Sequence, residues 1–214
     1  MKVGNVNIRL IENENELDAV CRFRYKVYVE EMGKVNHYQY ADHVNKIIKE
    51  PLDTKSYNLS AWLDNNIVGA VRLNLGRESE LGFYEDFYQM TSVGGCHPEF
   101  TCIVTRLMID VSVRNTELSM RLMLACYETA IKSKIKYAFM NCDDHLIKLF
   151  RRFGWQDYIG KVKHPEHGAF TTPLRLDMFD LEHLKKTRSP FLTLLTSYLQ
   201  EQRCINEHDL SVSS

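Results

Sequence analysis

Apolar and polar positions along this 214-residue chain fall into runs whose period predicts each element. VNIRLI (residues 6–11) alternates and reads as a first strand, and the acidic NENELD after it starts a helix carrying Leu17, Val20, Cys21, Arg24 and Val27. Two alternating runs, residues 58–64 and 66–75, meet at Asp64-Asn65-Asn66 and predict a β-hairpin. TCIVTRLMID (residues 101–110) is rich in β-branched residues and almost wholly apolar, as a strand covered on both faces would be. Leu118, Leu122, Ala125 and the small Thr129 then recur at steps of four, three and four, predicting one face of a helix that ends near Lys132. KYAFMN gives a further strand, HLIKLFRRFGW a short helix closed by Gly154, and PLRLDM a last core strand. Strands and helices in this order predict an α/β (α+β) fold with a mixed central sheet flanked by helices.

Charge interrupts the pattern at two places. Arg72 and Arg106 lie inside strands that read as buried, where a guanidinium is costly unless it is paired or faces a cavity. Asp53, Glu50 and Glu99 are the carboxylates available to them. Residues 35–58 form a long polar connection rich in Tyr and His, of a length that is usually functional or mobile. Residues 76–100 hold turn signals, acids and aromatics, and His97 and Glu99 just before the central strand are candidate bases. The histidines of HPEHG, His164 and His167, read as a surface loop rather than a metal site, and no metal is expected. After residue 179 a tail begins with LEHLKKT, and Ser189-Pro190 caps a second amphipathic helix, FLTLLTSYLQEQR. Its Leu192, Leu195 and Leu199 share a face that packs on the core, closes over a bound chain or meets a partner; NEHDLSVSS reads as disordered. The organisation predicted is one domain over residues 1–179 with a C-terminal helical extension over 180–214.

Composition narrows the function. With 44% hydrophobic residues and a net charge of −1, the chain can bury one sizeable core and does not present a broadly nucleic-acid-binding surface. Residues 114–152 carry eight Lys and Arg against four Asp and Glu, a local excess that is either a solvated face or a docking patch for an acidic carrier. Six cysteines without C-x-x-C spacing predict free thiols. No signal peptide opens the chain and no apolar run approaches the roughly 20 residues that span a bilayer, so a cytoplasmic location without stable membrane insertion is expected.

The polar turn after the central strand, VSVRNTE, carries Arg114 beside a helix N-terminus, where unpaired N–H groups and the helix dipole favour a phosphate. This strand, turn, helix, strand and helix resemble the second half of the GNAT acyltransferase fold. That family's turn follows Q/R-x-x-G-x-G/A; here Arg114 is present, and Glu117 and Ser119 stand at the two glycine positions. NCDDHLIKLFRRFGW resembles the later GNAT signature, with Phe150 where many members carry a tyrosine general acid.

A sharper resemblance lies upstream. FRYKVYVEEMG (residues 23–33), with Arg24 and Tyr28 four apart, is similar to the opening signature of acyl-homoserine lactone synthases and long-chain N-acyl amino acid synthases. Glu50-Pro51-Leu52-Asp53 resembles their D-x-x-D segment, and Arg72 and Arg106 match arginines in their G-x-x-R-L and S-R-L/F segments. The resemblance implies an N-acyltransferase that moves a fatty acyl group from an acyl carrier protein or coenzyme A thioester to a small-molecule amine. An amino acid is the first choice of acceptor, with homoserine lactone synthesis, a peptide lysine or polyamine acceptor, or a catalytically silent sensor as alternatives. It places catalysis on Arg106 and Arg72, substrate binding on Arg24, Tyr28, Asp53 and Thr105, and the donor's phosphopantetheine along Leu107, Met108, Ile109, Arg114, Ser119 and Asn141. The glutamate these synthases carry three residues before the strand arginine is Ile103 here, leaving Glu99 and Asp110 as replacements by proximity alone. The filled glycine positions favour a carrier protein, which presents one phosphodiester, over coenzyme A and its pyrophosphate. No permanently bound cofactor is implied. The whole reading requires the central strand to part from its neighbour and seat a pantetheine arm.

Overall fold

The computed structural model describes residues 5–166 and 168–212, with side chains through residue 205. Six main strands are laid across the sheet in chain order: β1 (Asn7–Leu10), β2 (Tyr57–Leu63), β3 (Asn66–Leu75), β4 (Thr101–Ile109), β5 (Tyr137–Cys142) and β6 (Phe170–Asp177). Two-residue pieces at Gln156–Asp157 and Val162–Lys163 add to the β6 edge. Every main pairing is antiparallel except β4 with β5. The β2–β3 hairpin turns at Asp64 and Asn65, both at positive φ, as the mirror-image turns of tight hairpins require. The mixed sheet flanked by helices agrees with the architecture expected from the sequence.

The first helix, α1 (Glu14–Tyr25), is capped by Asn13, whose side chain accepts the Glu16 N–H. It then widens into a π-helical stretch over Lys26–Glu31, which the periodicity does not announce. Helix α2 (Leu118–Lys132) crosses the sheet on Leu118, Leu122, Met123, Cys126, Tyr127 and Ala130. Its buried face is rotated from the predicted one, leaving Ala125 and Thr129 on the margin. Helix α3 (Ile147–Phe153) ends at Gly154, and α4 (Leu181–Thr187) and α5 (Phe191–Val212) follow β6. Leu184, Phe191 and Leu195 belong to the main core, and Phe191 stacks on Tyr127 at 4.3 Å, so the tail helices pack on the domain. Helix α5 continues past Arg203 into the stretch expected to be disordered; Ser213 and Ser214 lie outside the described residues. Among the described residues no helix is long and apolar enough to cross a membrane.

The feature that positions the site is where β4 and β5 stop pairing. Their parallel register covers Thr101–Ile103 against Tyr137–Phe139 and goes no further. Beyond it β4 stays on β3 as far as Ile109, and β5 stays on β6 as far as Cys142. The sheet therefore opens along its middle, as the seating of a pantetheine arm requires. On the β3 side, β4 holds one extra residue: Ala70 faces Met108 and Arg72 faces Thr105. Arg106 sits in this bulge at φ +56°, a left-handed conformation that costs a non-glycine residue about 1–3 kcal/mol.

Gly154 lies at φ +104°, and a Cβ there would come within 2.6 Å of Leu184 Cδ2. Gly154→Ala therefore combines strain with a clash against α4 and should lower unfolding stability by about 1–3 kcal/mol in urea titrations. An unchanged midpoint would show that the junction of α3 and α4 yields freely.

Candidate active site

The site is built on a buried cluster of guanidinium and carboxylate groups drawn from α1, the 3₁₀ turn Pro51–Asp53, β3 and β4. Arg24 is sealed from solvent and donates through Nη1 and Nη2 to Asp53 at 2.7 and 2.9 Å, and again to the Ile48 carbonyl at 3.0 Å. Arg72, also buried, reaches Glu50 at 2.7 Å, Asp53 at 2.8 Å and the Thr105 hydroxyl at 3.1 Å. Arg106 closes the group, its Nε and Nη2 both donating to Glu50. Asp53 also accepts the Glu50 N–H at 2.7 Å, locking the turn that carries both acids. Burial by itself would raise the Glu50 pKa, but Arg106, Arg72 and Arg24 outweigh it and hold the group at about 2. Asp53 is likewise depressed: burial is outweighed by Arg24 and then Arg72.

Beside this cluster the opened sheet encloses a cavity of about 900 Å³. Tyr28, Tyr38, Tyr84, Arg106 and His164 form one wall. The Arg106 guanidinium lies 5.8 Å from the Tyr28 ring and 5.1 Å from the Tyr38 ring, within cation–π range. Burial pushes the Tyr84 hydroxyl up to about 12, so it stands as a neutral donor. A second wall is apolar, with Val104, Met140, Leu149 and Phe150, and suits an alkyl chain, whereas Met108 packs with Val27 and Tyr28. The third part is the turn Arg114 to Thr116 that leads into α2, with Ser119 from the first turn of that helix.

The expected residues divide on these surfaces. Tyr28, Thr105, Arg106, Leu107, Met108, Ile109, Arg114, Ser119 and Asn141 all line the cavity. Arg72 and Asp53 sit behind it in the ion cluster. Arg24 and Tyr28 part company: Arg24 is sealed on the Asp53 carboxylate and the Ile48 carbonyl behind the cavity, and Tyr28, in the π stretch after Tyr25, lines it. Glu99 is the clear correction. It lies in the turn before β4, at the opposite end from Arg106; the strand from Thr101 to Arg106 alone spans roughly 16 Å at about 3.3 Å per residue, and the Glu99 side chain is largely exposed beside Arg77. His97, bonded to Thr101, is at that end too. Asp110 is tied to Lys26 and Ser112; these bonds outweigh burial and hold it at about 2.

In the positive segment Lys132 pairs with Glu128 and Lys136 covers Phe100 at the closed end of the sheet, while Arg151 pairs with Asp157. Arg114 is already engaged by Glu31 and the Ile109 carbonyl. His164 is buried in the cavity wall instead of lying on a surface loop, and His167 lies outside the described residues. Sequence reasoning also passed over Tyr38, Tyr84 and Glu166; the Tyr-rich connection and the aromatic stretch before β4 were the signals for the first two.

Residues 19–177 match the sequence profile of the family described as N-acyl amino acid synthase FeeM. The chain belongs to that family. It is an N-acyltransferase. Among curated proteins none matches this FeeM-family enzyme. Its fold is shared with FeeM, an N-acyl amino acid synthase from uncultured soil microbes, at 11% identity and a TM-score of 0.66 over 89% of this chain and 98% of that one. BjaI, a CoA-dependent acyl-homoserine lactone synthase solved with SAM and isopentyl-CoA, aligns at 18% identity and a TM-score of 0.65, over 87% and 91%. ElaA of Escherichia coli aligns at 14% identity and a TM-score of 0.57, over 80% and 99%.

In this FeeM-family enzyme the depressed carboxylates make the ion cluster acid-labile. Glu50 has a folded pKa of about 2 against an ordinary 4.5, so its stabilisation is present above pH 4.5 and is lost as pH falls towards 2. Asp53→Asn, which leaves Arg24 and Arg72 short of charge, should cost about 3–5 kcal/mol at neutral pH and flatten the acid limb of urea stability against pH. A variant as stable as the parent, with the same acid limb, would show that Asp53 does not bind the arginines together.

Proposed function

We propose that the enzyme transfers a long-chain acyl group from the phosphopantetheine arm of an acyl carrier protein to the amino group of a free amino acid, in the cytoplasm. The observation that carries the acceptor is the state of Arg106. Glu50 occupies its Nε/Nη2 edge, whereas on the other edge Nη2 has only a 3.4 Å contact to Glu166 and Nη1 carries no hydrogen bond among the described residues and is not sealed from solvent. A planar guanidinium with one edge fixed and the other open to a cavity is suited to a bidentate carboxylate. An α-amino acid held there presents its nitrogen beside the β4 bulge, whose backbone N–H groups are candidates to steady the tetrahedral oxyanion. The apolar wall takes the acyl chain, and Glu117 and Ser119 at the start of α2 favour a single phosphodiester over a pyrophosphate. Arg72 and Asp53 hold Arg106 through Glu50, and Arg114 and Asn141 line the arm's path.

Incubating the protein with long-chain acyl carrier protein or the matching acyl-CoA, together with pooled amino acids and S-adenosylmethionine, and reading products by mass spectrometry tests this. The expected result is an N-acyl amino acid formed faster from the carrier protein, with Arg106→Ala slowing formation by about 100-fold or more in a protein that still melts cooperatively. A lactone product reassigns the acceptor, equal or faster rates from acyl-CoA reassign the donor, and a stable carrier complex without turnover makes the chain a binding protein.

A further inference from the structure

Glu166 reaches the outer side of Arg106 from the loop between Val162–Lys163 and β6, with Oε2 3.4 Å from Nη2. Its own backbone N–H donates to His164 Nδ1 at 3.2 Å, and the His164 ring stands edge-on to Phe83, Phe87 and Tyr84. This backbone N–H occupies His164 Nδ1. Burial lifts the Glu166 pKa above the ordinary 4.5; Arg106 and Arg72 oppose the shift and Glu50 adds to it. The groups that face Glu166 are thus Arg106, Arg72 and Glu50, with Tyr38, Tyr84 and Tyr88 within electrostatic reach and His164 behind. Glu50, Asp53 and Asp110 are all held well below their usual range, which makes them weak proton acceptors.

We propose that Glu166 is the general base of the acyl transfer: the acceptor's carboxylate takes the open edge of Arg106, Glu166 gives up its long contact there, and its freed oxygen receives the proton of the attacking nitrogen. This rests on the amino-acid acceptor argued above. Once released from Arg106, Glu166 loses the positive charge that favoured its ionised form, and its basicity rises at the moment the substrate is seated. The neutral amine forms the C–N bond with the thioester carbon and its nitrogen becomes cationic and acidic. That proton passes to Glu166. The C–S bond then breaks, the sulfur takes the electron pair, and Glu166 returns the proton to it. One amide and one thiol result, and Glu166 is restored.

Glu166→Gln keeps the size and the contact to Arg106 but cannot accept a proton, and its partly exposed loop position makes it a mild change for folding. With the amino acid the parent enzyme uses best, this variant should lose about 100-fold in kcat, with KM for the acyl donor within about twofold and an unchanged melting temperature. Glu166→Asp should recover part of the rate. A Glu166→Gln variant with more than about a third of parental kcat, or one whose loss lies wholly in donor KM, overturns the assignment while leaving amino-acid acylation intact. A parent enzyme that acylates no amino acid removes both the acceptor reading and its base.

Discussion

Three arginines held against Glu50 and Asp53 under the sheet are the constraint on which the site depends. Each guanidinium comes from a different element, and each acid is touched by at least two of them. Such a cluster is weak as a source of net stability, because removing the ions from water costs about as much as their attraction returns. Its effect is on geometry. A guanidinium has a fixed fork of donors, so Arg24, Arg72 and Arg106 can all be satisfied in one arrangement of α1, the Pro51–Asp53 turn, β3 and β4. That arrangement explains why Arg106 can stay in a left-handed bulge. Glu50 holds two of its nitrogens, and the strain of the backbone is offset by bonds that an extended strand could not make.

The bulge and the opening of the sheet act together. Where β4 leaves register with β3 it sets Arg106 at the cavity edge of the ion cluster, and where it leaves β5 it clears the space beside that edge. The same nine-residue strand therefore supplies a structural end, Thr101–Ile103, locked between two neighbours, and a functional end from Val104 onward with one side bare. An acyl chain entering from the side of α2 meets Met, Leu and Phe side chains, and an amine entering from the opposite wall meets Tyr and Arg. The two substrates are separated by chemistry before they meet at the strand.

Much of this was legible in the sequence, for a physical reason. Strands β2 to β4, helix α2 and the stop at Gly154 follow from residue type and period, which are local. Arg72 and Arg106 stood out because charge inside a buried run is rare. What sequence reasoning missed is non-local or confined to the backbone. The π stretch after Tyr25 and the left-handed Arg106 carry no glycine or proline to announce them. Glu99 attracted attention because it is near Arg106 in sequence, yet an extended strand puts its two ends as far apart as a chain can. Glu166, sixty residues beyond Arg106, touches it.

The exchange of Ile103 for the glutamate carried by similar synthases becomes intelligible in the same terms. Ile103 is fully buried, packed with Leu81, Tyr88, Met90 and Phe139, and its part of β4 is the part still zipped to β5. A carboxylate there would be desolvated among apolar and aromatic groups, a position costly to an ion without a cation in contact. Moving the acid to the loop before β6 places it on the open side of the same strand, against a guanidinium already fixed by Glu50. Counted together, Arg24, Arg72 and Arg106 face Glu50, Asp53 and Glu166, so the group is neutral with the acid at its new position. A carboxylate that takes the place of Glu166 on Arg106 supplies the negative charge the guanidinium loses, and the unpaired Glu166 is left as the group that gains most by taking a proton.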